Sequence, residues 1–318
     1  MSTTATAEVI AAEEIRRRYT GKRRKHPTKQ GEARFGFAMI GLAVLFVAVF
    51  TAIPIVASLV LSFFSWDVIS PPEFIGLKNY QKMIADGPVL RSFGVTLSIA
   101  IAIVVLQLTV GLGLAVLVNA RAQVWLRTFF RTAFYLPLLA SSAAVSIFMG
   151  YLFDYKFGVV NYYLGLVGIS NVPWLTSGFG AAATIVLITV WQQTGFTFVL
   201  FVAALMAVPV DVLEASQIDG AGPLRTLFRI KVPLISPTIL FAAVVAMINA
   251  MQLFDQPYIM TKGGPGTATT TVTITMYQKG FQNLEFGYGS AIAIILLLVI
   301  LAITGLQFLA ARKLVFYQ

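Results

Sequence analysis

Long apolar runs alternate with short polar intervals along most of the chain. Six runs, near 37–64, 92–118, 129–153, 181–207, 234–257 and 288–311, are long enough to cross a bilayer, which takes about 20 mostly apolar residues. Hydrocarbon offers no partner for a free backbone N–H or C=O, so runs of this kind must be helices. The pattern predicts an all-α integral membrane protein with a six-span domain over 37–318 and a polar tail over 1–36. An even number of spans places both chain ends on the same side.

The interval from Pro209 to Pro237 is too polar to be a span. Asp211 followed by Glu214 predicts a helix start, with a short helix over roughly 211–219. That helix must break at Gly220-Ala221-Gly222-Pro223, because glycine permits the left-handed backbone of a sharp reversal. Pro223 suits the first turn of a second helix. Arg225 and Arg229 then fall on one side of it at i, i+4, and Leu224, Leu227 and Phe228 on the other.

This interval resembles the EAA loop of ABC importer permeases. The matching residues are Glu214-Ala215-Ser216, then Asp219-Gly220-Ala221, then Ile230, Pro233, Leu234 and Pro237. Ser216 stands where the pattern has a second alanine. The Asp-Gly-Ala and Pro-Leu-Ile-x-Pro version is similar to permeases of carbohydrate and glycerol-phosphate importers. The resemblance implies a type I importer permease fold. It also implies that Glu214, Ala215, Ser216, Asp219, Gly220 and Arg225 belong to a coupling helix that docks into an ATPase subunit. The alternative is a cytoplasmic helical hairpin in which Glu214 only caps its own helix.

Composition agrees with a membrane protein: of 318 residues, 58% are hydrophobic and 11% charged, with a mean hydropathy of +0.83. Cysteine is absent, so disulfides and thiol chemistry are excluded. The single histidine, His26, lies in the basic tail, and no metal-ligand cluster is present. There is no Ser/His/Asp set and no Walker A motif. The chain is expected to bind no cofactor and not to hydrolyse ATP, so energy must come from a partner or an ion gradient.

The net charge of +10 changes the picture through its placement. Seventeen Lys and Arg fall in the tail, in the intervals after runs two and four, and at the C-terminal end, against six in the other intervals. Cytoplasmic segments carry the excess of Lys and Arg. Both ends and the EAA-like loop are therefore expected inside, where an ATPase would be. The tail reads as topogenic, with contact to anionic lipid as an addition. It is not a nucleic-acid site, since no folded basic face with interleaved aromatics follows it.

The intervals expected outside, 65–91 and 154–180, mix aromatics with Gly and Pro, and their Trp and Tyr suit the membrane interface. The interval Tyr258–Gly289 holds Gly263-Gly264-Pro265-Gly266 and a Thr-rich run over 269–273. No Gly-Lys-Ser/Thr follows, which excludes a phosphate loop. It resembles the Gly-Gly-Pro turn of sugar permeases, as do Phe281 and Phe286-Gly287-Tyr288.

Polar groups inside the runs are few. Asp255 is the one acid, near the outer end of run five, and is either functional or already at the water boundary. Asn249, Gln252 and Gln256 follow i, i+3, i+7 spacing, one stripe on a helix, with Tyr258 just beyond. Run four holds Thr189, Trp191, Gln192, Gln193, Thr194 and Thr197. Amides and an indole offer paired hydrogen bonds to hydroxyls and an apolar ring face, as a sugar requires. Hydrogen bonding between helices is the competing use. The substrate-path candidates are Thr189, Trp191, Gln192, Gln193, Asn249, Gln252, Asp255 and Tyr258. Gln107, Asn119 and Asn161 read as structural or interfacial, and Gly111-Leu112-Gly113 as helix packing.

The resemblance implies a second, homologous permease chain, two ATPase subunits carrying ATP and Mg²⁺ inside, and a solute-binding protein outside. A carbohydrate is the expected cargo, with glycerol-phosphate as the alternative. An ion-coupled carrier would need a buried coupling acid in repeated halves, and no second half mirrors Asp255. A non-transport scaffold would leave the EAA-like spacing without a use.

Overall fold

The computed structural model describes residues 29–121 and 124–315. The tail over 1–28 with His26, and the side chain of Asn119, lie outside the described residues. By internal contacts the chain divides into Met1–Ala57 and Ser58–Gln318. In the first unit, helix α1 (Lys29–Val47) passes through a π-helical turn (Ala48–Ala52) into α2 (Ile53–Leu61), which continues past the boundary. The stretch Arg34–Leu61 is long and apolar enough to cross a membrane. Across the π turn the Phe46 and Phe50 rings pack at 4.7 Å.

In the second unit a two-residue antiparallel pair, β1 (Phe64–Ser65) and β2 (Glu73–Phe74), leads to α3 (Lys78–Ala85). Then follow α4 (Gly87–Arg121), α5 (Val124–Leu139), α6 (Ser142–Leu152), α7 (Val159–Leu166) and α8 (Gly178–Met206). The EAA-like interval forms α9 (Val210–Ile218), α10 (Pro223–Thr226) and α11 (Val232–Leu234). Helices α12 (Ser236–Met251), α13 (Asp255–Thr261), α14 (Val272–Tyr277) and α15 (Phe286–Leu314) complete the fold. The protein is helical, as the run pattern requires. Five stretches are long and apolar enough to cross a membrane, and α5 with α6 form a bent sixth.

Two runs read as single helices are broken. Run three turns by 102° between α5 and α6. Pro137 sits inside α5 and cannot donate to its own ladder. Run five stops at Met251 and resumes at Asp255. Proline at 257 has no N–H for the carbonyl four residues back, which is Leu253. That carbonyl instead accepts from Thr271 Oγ1 at 3.0 Å and Thr273 Oγ1 at 2.6 Å. The Thr-rich run is thus the brace of a helix break. The stripe Asn249–Gln252–Gln256 is not one continuous helix face.

Helix α8 runs through the middle of the unit. Its N-terminal half shares a cluster with α4, α12 and α15 around Ile103, Ile185, Met251 and Ile292, and its C-terminal half packs around Phe198 and Phe201. A Cβ on Gly195 would lie 2.2 Å from the carbonyl oxygen of Phe134, so α5 crosses α8 there backbone to backbone. Gly111 similarly lies against Thr197, whereas Gly113 has open space, so only the first of that pair packs as expected. Asn161 is structural: it accepts from Val172 N and Trp174 Nε1 and donates to the carbonyls of Tyr155 and Val172.

Candidate functional site

The two helix breaks meet beside α8, where Gln256 Nε2 donates to Ser142 Oγ at 3.5 Å, and both line a cavity of about 480 Å³. Broken helices present backbone and side-chain polar groups that an intact helix would use internally. Ala140 and Ser142 come from the first break and Gln252 to Gln256 from the second, with Gln192, Gln193 and Phe196 from α8, Asn249 from α12 and Gln107 from α4. Asp255 is the one charged side chain among the described lining residues, and no Lys or Arg is among them.

The amides divide into two groups by their bonding. Gln192 is buried; its Nε2 donates to the Ala140 carbonyl at 3.2 Å, and its Oε1 accepts from Gln256 Nε2 at 3.0 Å and from Ser142 Oγ at 3.4 Å. Both acceptor positions of its oxygen and one of its two N–H groups are therefore used within the protein, and it ties both breaks to α8. Asn249 and Gln252 are exposed to the cavity and Gln193 and Asp255 are half-buried. These four can present hydrogen-bonding groups to a solute.

The sequence candidates separate accordingly. Gln192, Gln193, Asn249, Gln252 and Asp255 are brought together. Thr189 is fully buried and returns its hydroxyl to the Ile185 carbonyl at 2.7 Å. Trp191 is about half exposed and Tyr258 stacks on Phe254 at 4.8 Å, and neither lines the cavity. Gln107, read from the sequence as structural or interfacial, and Ser142, which the sequence did not single out, also line it. The one available signal was that Gln107 is an amide in an otherwise apolar run.

At the other end of the unit, α9 starts after Pro209 with no side-chain cap, and Asp211 lies in its first turn. The expected Asp211–Glu214 capping arrangement is not formed, because the helix begins one residue earlier. Gly220 has φ +70°, and the reversal closes through Gly220 N to Gln217 O at 3.0 Å and Ala221 N to Ser216 O at 2.9 Å. Nothing lies within 4 Å of a Cβ at Gly220, so its requirement is conformational alone. Ser216 is buried and donates to the Leu213 carbonyl at 2.7 Å. Glu214, Ala215, Asp219 and Arg225 are exposed. Pro223 opens α10 as expected, but a π turn over Leu227–Lys231 interrupts the second helix and with it the i, i+4 relation of Arg225 and Arg229. Ile218 at 87%, Leu224 at 70% and Phe228 at 64% exposure leave apolar surface uncovered around the reversal.

Residues 107–315 match the model of the binding-protein-dependent transport system inner membrane component family. The chain is 32% identical to the sulfoquinovosyl glycerol transport system permease protein SmoG of Agrobacterium fabrum, over 86% of this chain and 89% of that one. It is also 32% identical to the trehalose/maltose transport system permease protein MalF of Thermococcus litoralis, over 87% and 93%. A crystal structure of a bacterial ABC transporter that imports the acidic polysaccharide alginate contains a chain of the same fold. The TM-score is 0.78 at 22% identity, over 89% of this chain and 96% of that one. With the family model covering about two thirds of its length and relatives of this identity along most of it, the chain belongs to the binding-protein-dependent transport system inner membrane components.

Proposed function

We propose that the chain is the permease subunit of an ATP-driven ABC importer, and that its cargo is a neutral carbohydrate. The observation carrying the cargo is the cavity wall: Gln193, Asn249 and Gln252 offer amide donors and acceptors, and among the described lining residues the only charged one is the acid Asp255. Hydroxyls both donate and accept, so a polyol satisfies such a wall. A sulfonate, phosphate or carboxylate cargo would meet a carboxylate and no cation, which disfavours glycerol-phosphate. The family membership and the trehalose/maltose relative support the same class.

The energy source is on other chains. Two ATPase subunits bind ATP and Mg²⁺ in the cytoplasm, and one of them receives the α9–Gly220–α10 element. Its exposed Ile218, Leu224 and Phe228 are apolar surface that a partner would cover. A second, homologous permease closes the cavity from the opposite side, and a solute-binding protein delivers cargo from outside. ATP closes the ATPase pair, the coupling elements approach, and the cavity turns outward. Each ligand shifts this equilibrium only by its differential affinity for the two states.

Uptake by the reconstituted transporter tests the cargo. Radiolabelled maltose, trehalose and cellobiose are offered against glycerol-3-phosphate with the solute-binding protein present. ATP-dependent accumulation of a neutral sugar is expected. Accumulation of glycerol-3-phosphate alone would refute the neutral reading.

A further inference from the structure

Gln107 on α4 is 2% exposed and lines the cavity. Its Nε2 donates to the Gln193 carbonyl at 3.3 Å. Its Oε1 has no hydrogen-bond partner and is shielded from solvent. The orientation is fixed by chemistry: turning the amide over would set two acceptors against each other. A buried acceptor with no donor is unfavourable, and methionine would fill the same space without that cost.

We propose that Gln107 Oε1 is a specificity-determining acceptor for a hydroxyl of the cargo. The residue forms the α4 wall of the cavity, and the donor reaches the oxygen as the wall adjusts around the ligand. This inference rests on the carbohydrate reading above. It adds a contact from a third helix to those offered by α8 and α12. Cargo lacking a hydroxyl at that point leaves the acceptor unpaired and is rejected, whereas a sugar that donates there is retained.

A second glutamine supplies the control. Gln307 on α15 donates its Nε2 to the Ala243 carbonyl at 3.4 Å, and its Oε1 is likewise buried without a partner. It lines none of the cavity. Gln107→Met and Gln307→Met therefore remove the same kind of orphaned acceptor, one at the cavity and one away from it.

The experiment uses the full transporter, purified through this chain with its partner subunits and reconstituted with the solute-binding protein. Uptake of maltose, trehalose and cellobiose is measured alongside thermal unfolding of the empty complex. Gln107→Met is expected to raise KM for the transported sugar about fivefold, with kcat near wild type and an unfolding temperature equal to or above wild type. Gln307→Met is expected to leave KM unchanged. An unchanged KM in Gln107→Met overturns the inference. An unfolding temperature lowered in Gln107→Met but not in Gln307→Met, which loses an equivalent Nε2 bond, overturns it too, since the donor to Oε1 then belongs to the protein. So does a KM rise in both variants, which would make the effect non-local. If the wild type accumulates none of the sugars, the carbohydrate reading fails and this inference with it; wild-type uptake with an indifferent Gln107→Met sinks the inference alone.

Discussion

Gln256 Nε2 donates to Gln192 Oε1 across 3.0 Å, and the same Gln192 holds the Ala140 carbonyl at 3.2 Å. One side chain thereby joins the break in run three to the break in run five. This gives Gln192 a different task from its neighbours Asn249 and Gln252, although all three are amides on one cavity.

Gln192→Leu should take the Gln256 amide's 3.0 Å acceptor, leaving it only the long bond to Ser142 Oγ at 3.5 Å, and release the exposed Ala140 carbonyl. A buried polar group left poorly paired costs about 1–3 kcal/mol, so the variant should unfold at a lower temperature as well as transport less. Asn249→Leu and Gln252→Leu remove exposed amides and should lower uptake with unfolding unchanged. Thermal unfolding of the three variants in detergent, beside vesicle uptake, separates strut from ligand. Equal unfolding temperatures for all three would contradict the assignment.

A paired test applies to the second break. The carbonyl of Leu253 depends on the hydroxyls of Thr271 and Thr273. Thr271→Val with Thr273→Val keeps shape and removes both donors, leaving the Leu253 carbonyl unpaired, and Thr271→Val also removes the oxygen that caps α14 at Ile274 N–H. The expected loss is about 1–3 kcal/mol, with each single variant losing less because the other hydroxyl remains. An additive pair of singles would mean that the two hydroxyls do not share the carbonyl.

The fold was largely legible because hydrocarbon demands closed helices, so run length alone located the spans. The breaks were less legible. Pro137 lies inside α5 and Pro257 just after the second break, and the polar residues at the breaks, Ser141-Ser142 and Gln252 with Asp255-Gln256, are too few to end a long apolar run. The bonding of Gln192 could not be read at all: Ala140, Ser142 and Gln256 lie 52, 50 and 64 positions away. Gln107 looked like packing because one amide in an apolar helix usually is. Trp191 and Thr189 share a run with Gln192, but a helix turns about 100° per residue, and their side chains point elsewhere. Gly220 was readable for the opposite reason, since a local backbone reversal needs no distant partner.

Acid should weaken the second unit where Asp86, between α3 and α4, meets Tyr288 of α15. Burial opposes ionisation of Asp86, but hydrogen bonds from Tyr288 OH and Val89 N–H and the Lys279 ammonium at 3.3 Å outweigh it and hold its pKa below the usual value. A lowered folded pKa means that the stabilisation is present above the unfolded value, about 3.9, and is lost as pH falls through the folded value. Asp86→Asn should lower stability at neutral pH and flatten the decline below pH about 4. An unfolding temperature that falls in parallel with wild type through that window would show that other groups carry the acid limb.

Orientation follows from charge and is checked directly. Reporter tags near residue 5 and after residue 318 should both read cytoplasmic, and one inserted near Gly264 should read external. Cytoplasmic labelling at Gly264 would invert the coupling argument, because α9 would then face away from any ATPase.

The coupling element makes the sharpest demand. Gly220 holds φ +70° with open space around it, so a substitution there strains the backbone and nothing else. A left-handed non-glycine residue costs about 1–2 kcal/mol, and a β-branched one is the worst case. Gly220→Val should distort the reversal between α9 and α10 while six membrane helices still insert. Gly220→Asn, which tolerates the left-handed region, should recover much of the activity. Glu214 makes no capping bond, so Glu214→Ala should leave α9 intact and remove only an exposed charge facing the partner. Both Gly220→Val and Glu214→Ala should reach the membrane at normal levels and assemble with the second permease. Uptake and receptor-stimulated ATP hydrolysis should fall together. The measurement is ATPase activity in reconstituted vesicles with and without the solute-binding protein. Normal stimulation in Gly220→Val would remove α9 and the reversal from the coupling path, whatever the cavity does.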